Sequence, residues 1–149
     1  MKKFRYRLKG LLRLRQQEED QRKRKVGMLQ TVIQEQQNRV LEMAAKLRKE
    51  GDSLRQQYQT GKVDLEWVSH YRCYVSQTQQ AINRRIVEVT NIQKQLLAAR
   101  RNLTEAAKKR RILEKLREKQ KERFNSQLHR FERIEEDEIS TRMYLHKLL

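Results

Sequence analysis

The stretch VGMLQTVIQEQQNRVLEMAAKLRKEGDSL, residues 26–54, places Val26, Ile33, Val40, Leu47 and Leu54 at intervals of seven. Leu29, Met43 and Tyr58 occupy companion positions three or four residues on, with Gln36 and Gln57 as polar exceptions. A strip repeating every 3.5 residues, flanked by charged and amide side chains, reads as the seam of a left-handed coiled coil rather than one face of a globular helix. Further along, Val75, Ile82, Val89, Leu96 and Leu103 form a second series of sevens, with Tyr71, Ile92, Ala99, Ala106 and Leu113 between and around them. Each strip needs a partner helix to cover it, and the chain carries both.

Between the two series the period lapses once, around Tyr58-Gln59-Thr60-Gly61-Lys62-Val63-Asp64. Gly61 suits the positive φ past a helix end, and Asp64 suits the cap of the next helix, with Glu66 in its first turn. The reading is all-α: helix one over about 3–59, a loop over about 60–63 and helix two over about 64–146. These fold as one domain, an antiparallel coiled-coil hairpin with over ~80% helix. One continuous rod that dimerises through both seams is the alternative. In the hairpin, residues 1–25 face residues 98–122, and helix two outruns helix one by about 25 residues, roughly 40 Å. Phe124, Leu128, Phe131 and Ile134 lie on that overhang, where helix one leaves them uncovered. An uncovered apolar stripe marks a binding surface. Of three glycines inside helix one, Gly51 is the candidate for a local bend.

Composition excludes several classes. The 149 residues include no proline, four glycines and one cysteine, and 37% of them are charged. A turn-rich enzyme, β-sandwich or barrel needs proline and glycine in its turns. No apolar run reaches the roughly 18 residues of a membrane span, and charges interrupt the start, so neither a transmembrane segment nor a secretory signal is expected. Cys73 has no second cysteine to pair with, which fits a reducing cytosol.

The net charge of +17 invites an acidic partner. It is concentrated in residues 1–25, net +8, and 101–130, net +7, while residues 131–149 are net −2. Arg22-Lys23-Arg24-Lys25 and Lys108-Lys109-Arg110-Arg111 wrap around a helix and cannot all face one groove. Glu18, Glu19 and Asp20, each four residues ahead of a cation, answer part of the first run. Solvated helix faces, an acidic protein partner and nucleic acid all remain readings of these blocks. No aromatics interleave with them as stacking on single strands would require.

Chemistry-bearing motifs are few. Thr60-Gly61-Lys62-Val63 lacks the glycine-rich approach and following hydroxyl of a phosphate loop. His70 and Cys73 are too few ligands for a metal site, and a two-helix hairpin has no pocket to desolvate paired carboxylates. No catalysis, cofactor or metal is expected. Tyr58, Trp67, Tyr71 and Tyr74 cluster near the loop, where two helices cannot hide all four rings.

Taken in order along the chain, these segments resemble the FliJ family of flagellar type III export proteins. Phe4-Arg5-Tyr6-Arg7-Leu8, with Leu11-Leu12-Arg13-Leu14-Arg15, is similar to its opening aromatic-leucine segment. Arg111 and Leu113-Glu114-Lys115-Leu116-Arg117-Glu118-Lys119 resemble its basic C-terminal helix. Asp137-Glu138 resembles its acidic terminus, and Trp67, Tyr71, Tyr74 and Ala81-Ile82 match positions after its loop. The resemblance implies a stalk similar to the rotary ATPase γ subunit, inserted into the hexameric export ATPase. It further implies contact with the cytoplasmic domain of the export gate, binding of export chaperones, and a cytoplasmic location at the inner membrane through the export apparatus. Carried onto this chain, ring binding falls to Phe4, Leu8, Leu11, Phe124, Leu128, Phe131 and Ile134. Gate binding falls to Tyr58, Tyr71, Tyr74, Thr78, Ala81 and Arg85. The equivalent stalk of a virulence secretion system and a basic nucleic-acid-binding coiled coil are the alternatives.

Overall fold

The computed structural model describes residues 3–148. It holds two helices, α1 (Lys9–Gln59) and α2 (Leu65–Leu148), and no strand among the described residues. The chain is 92% helical and the helices pack on each other as an all-α hairpin, so the rod alternative falls away. Backbone contacts group the chain into two units. One runs from Gln21 to Leu103, and the other combines the segments up to Asp20 and from Thr104 onward.

The loop follows its residues. Gly61 has φ 71° and donates its N–H to the carbonyl of Tyr58, one of the bonds that close a helix end on a left-handed residue. The Thr60 hydroxyl donates to the carbonyl of Gln57. Asp64 Oδ1 accepts the N–H of Glu66 at 3.1 Å, which satisfies a free donor of the first turn of α2.

In the loop-bearing unit, Val26 and Ile33 of α1 and Ile82, Val89 and Ala99 of α2 are buried. Val40, Leu47, Leu54, Val75, Ile92, Leu96 and Leu103 are half-buried. Both series of sevens therefore line one seam. The polar exception Gln36 is accommodated because its Oε1 accepts a hydrogen bond from Arg85 Nη1 at 2.6 Å.

The unit of the two termini extends the same α1 series backwards through Glu19 to Leu12, both 5% exposed. Ala106 of α2 is buried there too. Glu19 thus fills a position that an apolar residue would normally hold. It is paired with Arg110, which itself continues the α2 series after Leu103, and Arg110 Nη1 also reaches Glu114 at 2.6 Å. The facing residue expected for Glu19 was 104. Side chains tilt toward the N-terminus of their own helix, so on antiparallel helices a long pair meets from Cα positions displaced along both axes. Hydrogen bonds donated to Glu19 and then to Glu114 raise the Arg110 pKa above its ordinary value. That contribution is lost only as pH rises beyond the raised value, so the guanidinium side of the pair is constant across neutral pH.

Helix one starts later than expected, at Lys9 rather than near residue 3. Residues 3–6 are irregular and a turn at 7–8 leads into the helix. The Tyr6 hydroxyl donates to the carbonyl of Leu113 at 2.9 Å, and the Phe4 ring lies 5.8 Å from that of Phe124. Residues two apart share a side of an extended segment but face away from each other on a helix. Anchoring both rings on α2 therefore requires the non-helical path.

Glu19→Ala is expected to lower stability by about 1–3 kcal/mol, since it strips a charged partner from Arg110 inside the seam. Glu19→Leu combined with Arg110→Leu should match or exceed the parent, because an apolar pair satisfies the position without desolvating charge. Urea unfolding followed by helical circular dichroism checks both. No recovery in the double variant would assign the stabilisation to other contacts of Glu19.

Candidate functional site

The surfaces open to partners are those the seam leaves outside. In the unit of the termini, α2 continues past the residues that α1 and its leader reach. From Phe131 to Leu148 every large apolar side chain is more than half exposed: Phe131, Ile134, Ile139, Met143, Tyr144, Leu145 and Leu148. Acidic residues Glu132, Glu135, Glu136, Asp137 and Glu138 lie among them. The surface is apolar and acidic on an otherwise basic chain.

The ring-binding residues expected from sequence divide here. Phe131 and Ile134 are exposed, and Leu8 and Leu11 are just over a third exposed. Phe124 and Leu128 are half-buried, not bare, and Phe4 covers part of Phe124. The expectation that helix one leaves Phe124 uncovered is corrected by the irregular leader, which carries Phe4 onto it. A shallow depression beside them is lined by Lys3, Arg5, Gln120 and Arg123 as well as the two phenylalanines.

In the loop-bearing unit, Trp67 and Tyr71 stack at 5.7 Å with their planes 14° apart. Together with Glu50, Ser53, His70 and Tyr74 they line an open depression of about 330 Å³. A Cβ added at Gly51 would stand 3.2 Å from the Tyr71 hydroxyl. Gly51 thus leaves room on α1 for the Tyr71 hydroxyl.

The six gate-binding residues named from sequence also divide. Tyr58 is exposed, while Tyr71, Tyr74 and Ala81 are half-buried. Thr78 is buried in the seam and meets a partner only if the helices part. Arg85 is half-buried and already bonded to Gln36. Trp67 and Glu50 share the depression with the tyrosines and were missed as site residues. Glu50 continues the companion series of Leu29, Gln36 and Met43 by sevens, a polar residue at a seam position, but only the packing of α2 brings rings beside it.

Nothing in the described residues resembles a catalytic or metal centre. No group of three metal-ligating side chains is present among them, and Cys73 is exposed and unpaired. No described helix is long and apolar enough to cross a membrane.

A family model described as "Flagellar FliJ protein" matches residues 4–149. The chain belongs to the flagellar FliJ family. No curated protein and no solved structure gives a significant match. Membership makes this hairpin a coiled-coil protein associated with flagellar export.

The Gly51 contact can be measured. Gly27, with open space around it, should gain about 0.5–1 kcal/mol on replacement by alanine, from helix propensity alone. Gly51→Ala should gain less, because the Tyr71 hydroxyl must move, and Gly51→Ala with Tyr71→Phe should recover the difference. Thermal melts of the three variants against the parent test this. An equal gain at both glycines would remove the contact from the argument.

Proposed function

We propose that this FliJ-family chain is a stalk of the flagellar export apparatus. Its terminal unit inserts into the hexameric export ATPase, and its loop-bearing unit meets the cytoplasmic domain of the export gate. Export chaperones are further partners, and association with the inner membrane is peripheral, through the apparatus. The observation that carries the reading is the row of bare apolar side chains from Phe131 to Leu148, in a chain otherwise rich in charge. An isolated helix does not keep such a row in water for its own stability, whereas a ring of subunits offers an apolar lining to receive it. Leu8 and Leu11 add to the same unit's exposed apolar surface. For the gate, Tyr58, Tyr71 and Tyr74 supply stiff apolar faces with a hydroxyl each, the composition of interface anchors. With Thr78 buried and Arg85 engaged, these rings carry the contact in the paired state.

Phe131→Asp and Ile134→Asp should each weaken binding to the purified export ATPase by about tenfold or more. Neither side chain is packed in the seam, so helical circular dichroism and the melt should stay near the parent. Tyr74→Ala should weaken binding to the gate's cytoplasmic domain while leaving stimulation of the ATPase in place. A variant that melts early yet keeps its ring affinity would make the exposed row structural. Loss of ATPase stimulation by Tyr74→Ala, with gate affinity intact, would reverse the assignment of the two units.

A further inference from the structure

The depression beside Trp67 combines two features seldom left together without a reason. One is the stacked pair of Trp67 and Tyr71, with Trp67 still 39% exposed. The other is Glu50, half-buried at the edge of the same depression. Glu50 makes no hydrogen bond or ion pair with any described residue. The chain carries 36 lysines and arginines against 19 acids, so cations for an internal pair are plentiful. Lys46, one turn earlier on α1, stands in the less favourable order for a helical ion pair, with the cation N-terminal to the acid. A half-buried carboxylate without a cation, beside π faces, is chemically a vacant cation receptor.

We propose that this depression receives an arginine side chain presented by a partner protein. A guanidinium is planar and always charged, so it can lie along an aromatic face while its N–H fork meets both oxygens of a carboxylate. An ammonium offers a point charge and uses the rings less well. Ser53, on the same side of α1 as Glu50, and the hydroxyls of Tyr71 and Tyr74 supply further acceptors around the opening. About 330 Å³ is ample for one long side chain, and the openness of the site suits a residue arriving on another protein's surface. The chain's overall positive charge opposes any cation at long range. Screening within about 8 Å at physiological salt leaves recognition to the immediate surroundings. The inference names the side chain received and not the protein that carries it, so it goes beyond the assignment of the gate.

Trp67 is the only tryptophan, so its emission reports on this depression alone. The intact chain is titrated with acetyl-Gly-Arg-Gly-amide at constant ionic strength. Concentrations run to ~50 mM, where a single isolated side chain binds. The citrulline peptide, isosteric and uncharged, serves as the control. A saturating change is expected with arginine and little change with citrulline. Glu50→Gln, with helicity checked by circular dichroism, should weaken the arginine response about fivefold or more. Equal responses to the two peptides, a response that never saturates, or an unchanged response in Glu50→Gln would overturn the proposal. Because no export-gate protein enters the experiment, its failure leaves gate binding by Tyr74 to be judged separately.

Discussion

The seam is the constraint on which everything else in this chain depends. Its buried apolar members among the described residues are modest in size: Leu12, Val26, Ile33, Ile82, Val89, Ala99 and Ala106. Among the described residues no large side chain is wholly hidden. Stability must therefore come from repetition, a small burial at each step of 3.5 residues, because neither helix could hold its length in water alone. Such a construction tolerates a lean apolar content of 36% and needs no proline, since only one turn has to be made. It also leaves no interior in which to desolvate reacting groups.

Against that economy, the ionic pair of Glu19 and Arg110 is the costly exception. Two seam positions that could each have held leucine hold charge instead, and charge withdrawn from water is repaid only by close partnership. What an apolar pair would not supply is discrimination between registers. Leucines slide past one another by a heptad with little penalty, whereas Glu19 displaced by one heptad toward the loop would meet Leu103 in place of Arg110. Arg110 is further fixed by Glu114 one turn on, so its fork is held before Glu19 is reached. The pair thus penalises a slip toward the loop, while Arg117, seven residues past Arg110, stands where a slip in the other direction would bring Glu19. Gln36 with Arg85 repeats the device more cheaply in the loop-bearing unit, using an amide where a carboxylate would cost more.

How much was legible in the sequence follows from which forces are local. Sevens, a lapse in the sevens, a glycine and a capping aspartate are local signals, and the two helices, Gly61 and Asp64 stand where those signals put them. Glu19 and Arg110 were legible in principle, because each continues its own series of sevens, but a charged residue does not announce itself as buried. The leader around Phe4 and Tyr6 was misread as helix. Its path is set by where α2 offers an aromatic ring and a spare carbonyl lone pair, neither of which is adjacent in sequence. Thr78 and Arg85 illustrate the same gap at the site. Their residue types suit a partner surface, yet Thr78 is consumed by the seam and Arg85 by Gln36.

The surfaces that remain for partners are set by the ways in which a seam can fail to cover its neighbours. Near the loop, bulky rings outgrow the space between two helices: the Tyr71 hydroxyl comes close to Gly51, and Trp67 stacks on the Tyr71 ring. In the terminal unit, the described part of α1 and its leader stops short of residue 131, and α2 goes on with leucine, isoleucine and aromatics that no described residue covers. The first failure yields a small polar-rimmed aromatic depression, suited to one side chain. The second yields a long apolar and acidic row, suited to an extended lining. A protein with no core to spare can thus offer two chemically different surfaces without adding a third element of structure.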